Sequence, residues 1–158
     1  MLGFVPMPDP LVFRCDSCGA FNRLGLLFVP GREAVCGKCK QQLETTGVPT
    51  HIAPGTFEVA RHGAPALLLV DFWAPWCGPC RAMAPALEQL GRELAGKVLV
   101  AKLNTDDDPA PSQALGIQGI PTLILFRGGK EIDRLVGAAP LARLRQFVER
   151  AAVSVAPS

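Results

Sequence analysis

The 158-residue chain holds six cysteines, all in Cys-x-x-Cys pairs: Cys15 with Cys18, Cys36 with Cys39, and Cys77 with Cys80. Two sulfurs at that spacing can alternate between dithiol and disulfide, or point into one metal coordination sphere. The surroundings separate the pairs. Cys77 and Cys80 stand in Trp76-Cys77-Gly78-Pro79-Cys80 with no further cysteine nearby. A redox dithiol fits that setting; metal ligation is the alternative. The other four follow C-x2-C-x17-C-x2-C, inside the range of a four-thiolate zinc ribbon. Gly19 and Gly37 would ease the tight turns that aim these sulfurs together. Two disulfides are the other reading of the four.

The elements that must position the dithiol can be read from periodicity. Ala66 to Trp73 is a nearly continuous apolar run, which predicts a strand buried on both faces. Cys80, Met83, Leu87, Leu90 and Leu94 then recur at helical steps, with Pro79 in the first turn and Pro85 inside, where a kink is expected. Cys77 thus falls at a strand-to-helix junction, where free backbone N–H groups and the positive dipole end stabilise a thiolate. Cys77 is therefore the expected nucleophile, and Cys80, one turn on, the resolving thiol. Gly78 and Pro79 add no charge that would favour the reduced form, which points to a reducing protein. Asp71 interrupts the apolar strand. Buried, it would hold its proton toward neutral pH and could take one from Cys80; alternatively, it sits near the strand end and accepts backbone hydrogen bonds.

Downstream, Val98–Leu103 reads as a strand and Asp108–Leu115 as a short helix capped by Asp106-Asp107-Asp108. Thr122–Phe126 and Ile132–Val136 read as a hairpin across Arg127-Gly128-Gly129-Lys130, and Pro140 opens a last helix. With a short strand near Phe57, the order predicts an α/β domain with a mixed sheet flanked by helices. Pro121 reads as the first residue of a strand; a cis bond before it is the sharper alternative, but the residues alone favour trans. Residues 1–50 lack a long helical period, and so small a unit needs a metal or disulfides. Residues 51–55 read as a linker and 56–158 as the redox domain.

Net charge is +2 and evenly spread: residues 1–50 carry five Lys/Arg against four Asp/Glu, and residues 51–158 eleven against ten. No basic excess marks a nucleic-acid binder. Thiolate ligation of zinc would bring the charge to about zero. No apolar run is long enough to span a bilayer, and residues 1–10 have neither the basic start nor the apolar core of a secretory signal. A cytoplasmic location is the expectation. No Gly-rich dinucleotide motif is present, so no bound organic cofactor is expected. His51 and His62 lack metal-ligand spacing and are read as solvent-facing.

Asp71-Phe72-Trp73-Ala74-Pro75-Trp76-Cys77-Gly78-Pro79-Cys80, Lys102-Leu103-Asn104-Thr105-Asp106, Gly119-Ile120-Pro121-Thr122 and Val136-Gly137-Ala138 follow one another in order. Over about residues 56–155 they resemble the thioredoxin family. The resemblance implies a thioredoxin fold and a protein disulfide reductase, with Cys77 as nucleophile, Cys80 resolving, Asp71 as buried acid and Lys102 as its partner. It implies a cis bond before Pro121. It also implies a substrate-docking surface of Trp76, Gly78, Pro79, Gly119, Ile120, Val136, Gly137 and Ala138, and regeneration by an NADPH-dependent thioredoxin reductase. Substrates would be disulfide-containing proteins. The segment carrying Cys15, Cys18, Cys36 and Cys39 resembles the extension of the zinc-containing, bacterial thioredoxin 2 subfamily. The rival reading is a client-binding holdase that uses the ribbon and the apolar patch, with neither nucleic acid nor membrane as partner.

Overall fold

A computed structural model describes residues 10–25 and 27–154, so the N-terminal segment read above for a signal lies outside the described residues, as does Leu26. Eleven elements follow in order: β1 (Leu11–Arg14), β2 (Phe21–Leu24), β3 (Thr50–His51), α1 (Phe57–Gly63), β4 (Leu68–Trp73), α2 (Gly78–Glu93), β5 (Leu99–Asn104), α3 (Ala110–Ala114), β6 (Thr122–Arg127), β7 (Lys130–Val136) and α4 (Leu141–Ser154). The five strands from β3 onward form a mixed sheet of order β3-β5-β4-β6-β7, while β1 and β2 pair alone as an antiparallel hairpin. β4 is central, parallel to β5 and antiparallel to β6. This is the expected fold: a thioredoxin-like sheet with flanking helices and a small N-terminal hairpin unit.

Alternation along the strands divides the core into two layers. Leu69, Leu123 and Leu125 face α2 and α4, where Met83, Leu87, Leu90, Leu144, Phe147 and Val148 fill one cluster. Leu68, Val70, Phe72, Ile124 and Phe126 face the other way, against Phe57 and Ala60 of α1. Asp71, between Val70 and Phe72, therefore points with Leu69 to the α2 side.

Two expectations are corrected here. The strand foreseen near Phe57 is helix α1, because Phe57 and Ala60 stand one turn apart and bury together against the sheet. The first strand of the sheet is Thr50–His51, across the boundary between residues 1–50 and the 51–55 link. It pairs in parallel with Ala101 and Lys102, and Ile52 N–H adds a 2.9 Å bond to the Lys102 carbonyl. Prolines at 49 and 54 confine it to an edge. The short helix α3 begins after Pro109 and has no side-chain cap, so none of the three aspartates expected to cap it does so.

The hairpin is fastened to that edge. Arg14, 5% exposed, donates through Nη1 to Thr50 Oγ1 and to the His51 carbonyl, both at 3.1 Å. Asp16 Oδ1 accepts from His51 N–H at 2.7 Å. Val12 sends its side chain into the main core and its N–H to the Gly96 carbonyl. A second contact needs glycine on both sides: a Cβ on Gly91 of α2 would lie 2.2 Å from the Gly47 carbonyl oxygen.

Candidate redox and metal centres

Cys77 is the N-cap of α2, with extended backbone, and its Sγ accepts the Cys80 N–H at 3.2 Å. Pro79 fits the first turn, where a missing N–H costs nothing. A disulfide joins Cys77 to Cys80. Both cysteines are almost wholly buried, packed with Ala74 against Trp73 and Ile120. The Ile120–Pro121 bond is cis, and the Ile120 carbonyl oxygen lies 3.8 Å from Cys77 Sγ. Thr122 Oγ1 donates to the Gly119 carbonyl, and Gly137 N–H donates to the Pro121 carbonyl, so the two loops close on one another.

Around the sulfurs, Trp76 and Val136 are 67% and 66% exposed. Gly78, Pro79, Gly119 and Ala138 are also exposed, with Ile120 and Gly137 half-buried. One residue the sequence reading assigned elsewhere belongs here. Asp106 does not cap α3; its Oδ1 accepts the Trp76 indole N–H at 3.1 Å. Asp106 lies just past the end of β5, parallel to and beside β4, and only that topology brings it to Trp76.

Asp71 is 1% exposed and its Oδ1 has no hydrogen-bond partner. Burial pushes its carboxyl from 3.8 up to about 7, with the Lys102 charge pulling the other way. Lys102 is its register partner on β5 but forms no ion pair with it; the ammonium stands 4.2 Å from the Trp73 ring centroid. A raised acid destabilises the fold once it must ionise. The unfolded carboxyl releases its proton near 3.8 and the folded one near 7, so stability falls as pH rises through that window. Above it the penalty is on the order of 4 kcal/mol. Asp71→Leu should therefore raise the thermal midpoint strongly at pH 8 and much less at pH 4. An equal gain at both pH values would contradict this.

The four other cysteines are free, and their sulfurs all lie within 4.8 Å of one another. Cys15 and Cys39 sulfurs are 3.6 Å apart, and those of Cys18 and Cys36 are 3.7 Å apart. A tetrahedral zinc with 2.3 Å bonds to sulfur requires edges of about 3.8 Å, so the cluster fits a metal. Each knuckle closes alike, with Gly19 N–H on the Cys15 carbonyl and Lys40 N–H on that of Cys36. The left-handed position after the second sulfur is taken by Gly19 and, in the second knuckle, by Lys40 rather than Gly37. Asn22 was not singled out from the sequence. Its amide donates to Cys36 Sγ and accepts from Gly37 N–H at 2.9 Å. Backbone N–H groups, that of Cys39 foremost, hold the Cys36 thiol down at about 6.

Residues 48–150 match the family described as Thioredoxin. The chain is similar to thioredoxin 1 of Nostoc sp., 48% identical over 83 residues that cover 52% of this chain and 78% of that protein. It is 54% identical to the thioredoxin of Alicyclobacillus acidocaldarius over 77 residues, 49% of this chain and 73% of that one. With the thioredoxin of Haemophilus influenzae it shares 42% over 100 residues, 63% of this chain and 94% of the other.

Proposed function

The chain belongs to the thioredoxin family and is a protein-disulfide oxidoreductase with a Cys77–Cys80 dithiol pair; from that premise we propose how its residues divide the work. The Cys77 thiolate attacks one sulfur of a substrate disulfide, forming a mixed disulfide and releasing the other sulfur as thiolate. Cys80 then gives its proton to the Asp71 carboxylate and attacks Cys77 Sγ. The Cys77–Cys80 disulfide forms and the second substrate sulfur leaves, taking up a proton. Two electrons pass to the substrate. The observation that carries this reading is Cys77 at the α2 N-cap, its sulfur receiving an N–H beside an exposed apolar surface. A carboxyl held at about 7 accepts and returns a proton near neutral pH.

Trp76, Gly78, Pro79, Gly119, Ile120, Val136, Gly137 and Ala138 make the docking surface, suited to loops or unfolded segments of disulfide-containing proteins. Pro121 shapes its loop, Lys102 tempers Asp71, and Asp106 fixes the Trp76 ring. An NADPH-dependent thioredoxin reductase returns the dithiol state. Cys15, Cys18, Cys36 and Cys39 hold one zinc, which supplies the hairpin with a four-point crosslink; the clustering of their sulfurs supports that site and, with it, the thioredoxin 2 type. We divide it into a zinc-ribbon unit over residues 1–50, a link at 51–55 and a redox unit over 56–158, in a cytoplasmic protein. The link is fastened at its start, since His51 pairs with Lys102 on one side and its N–H binds Asp16 on the other.

Client binding is a second reading, favoured by Leu27 and Val35 standing 96% and 61% exposed on the ribbon side. Replacing Cys77 and Cys80 together by Ser separates the two. Reduction of a protein disulfide should fall by roughly a thousandfold or more, whereas suppression of client aggregation would survive if binding were the function.

A further inference from the structure

Asp71, Trp73 and Lys102 share one face of the sheet. Residues two apart on β4 point the same way, and Lys102 pairs with Asp71 across the β4–β5 register. Two places compete for the Lys102 ammonium there. One is the Asp71 carboxyl, whose Oδ1 has no hydrogen-bond partner. The other is the Trp73 ring, and the ammonium stands over it, 4.2 Å from the centroid. That distance is well inside the range of a cation–π contact, and tryptophan is the strongest aromatic partner.

We propose that Trp73 is a positioning residue: by holding Lys102 on its ring it keeps the ammonium off Asp71, leaving the carboxyl free of an ion pair and available as a proton acceptor. The inference rests on Asp71 acting as the proton acceptor of Cys80. An ammonium in contact with a carboxylate lowers its pKa by about one to three pH units. Such a carboxylate would be a poor base for a thiol. Held on the indole, Lys102 still acts on Asp71 through its field, as the downward pull shows, but burial remains the larger influence.

Other groups face this triad. Cys77, at the α2 N-cap, and Cys80 pack against Trp73, and His51 of β3 is the register partner of Lys102. Glu88, His51 and Lys102 together line a groove of about 260 Å³ with Pro49, Ala84 and Leu87. Glu88 and His51 are exposed, so water and salt weaken their influence on the ammonium, while the Asp71 carboxyl is buried away from water.

The test follows the Asp71 carboxyl by carbon-13 NMR in the full-length, zinc-loaded, oxidised protein. Trp73→Leu should lower its titration midpoint by about one pH unit, and Trp73→Phe, which keeps an aromatic face, should move it far less. In a Lys102→Met background the Trp73→Leu change should move nothing. Unaltered protein should show the Lys102 ε-methylene protons shifted upfield by the indole ring current, a readout that needs no variant to fold. An unmoved midpoint in Trp73→Leu, an equal shift without Lys102, or unshifted ε-protons would overturn the proposal. The reading beneath it fails separately: an Asp71→Asn protein that resolves its mixed disulfide at the unaltered rate would remove the acid from the reaction, whatever Trp73 does to its titration.

Discussion

A Cys80→Ser protein should stop after one chemical step and accumulate as a covalent adduct with its substrate. Cys77 keeps its place at the α2 N-cap, so attack on a substrate disulfide proceeds. The group that would displace the substrate sulfur is then a hydroxyl, which is neither acidic nor nucleophilic enough to do so. Turnover should fall to a single stoichiometric event. The adduct should appear on a non-reducing gel, with the crosslink mapping to Cys77. Cys77→Ser should give no such adduct, because Cys80 lies inside the helix, past the N-cap position where the free N–H groups stabilise the Cys77 thiolate. Adducts forming through Cys80 in that variant would reverse the assigned roles.

Loss of the metal should undo the hairpin while leaving the five-stranded sheet standing. Its own core amounts to Leu11, Phe13, Leu43 and the buried Cys15 and Cys36 against Ala95, too little to offset the entropy of ordering some thirty residues. Structural zinc in small peptides contributes an apparent 10–16 kcal/mol, roughly. Cys36→Ser or strong chelation should therefore abolish amide protection in β1 and β2 and expose Phe13 and Leu11. The β4–β6 amides should stay protected, because their core lies in the two clusters on either face of the sheet. The edge strand should loosen with the hairpin, since Arg14 and Asp16 hold Thr50 and His51. Unchanged protection in β1 and β2 after metal removal would show that the four thiols do not staple this unit.

What could be read in advance followed from local regularity. The helical steps Cys80, Met83, Leu87, Leu90 and Leu94 are all buried in α2 and the turn after it, and the last helix opens after Pro140 as α4. The Arg127–Lys130 turn joins β6 to β7 as its two glycines foretold. Elements made by distant partners were hidden. Thr50–His51 is a strand only because Ala101 and Lys102 lie alongside, and nothing in a Pro-flanked dipeptide announces that. Asp106 and Asn22 act on groups 30 and 14 residues away, Trp76 and Cys36. The Asp106 run has an equally good local reading as a helix cap, which the structure does not adopt. The cis bond before Pro121 came from the family resemblance, since the residues alone favoured trans. Lys102 shows a different shortfall: its place in the strand was legible, but whether its ammonium turned to a carboxylate or to an indole depended on packing between strands.

On the proposed division of labour, electrons leave through Cys77 and Cys80 while the other four cysteines serve a metal. The most direct measurement is a complete thiol and zinc balance. Fully reduced, zinc-loaded protein is mixed with one equivalent of a protein disulfide, quenched with an alkylating agent, and mapped by mass spectrometry alongside metal analysis. Cys77 and Cys80 alone should become disulfide-linked as one substrate disulfide opens. One zinc should stay bound, and Cys15, Cys18, Cys36 and Cys39 should be alkylated only after denaturation. A new disulfide among those four, or loss of zinc with Cys77 and Cys80 still reduced, would contradict it.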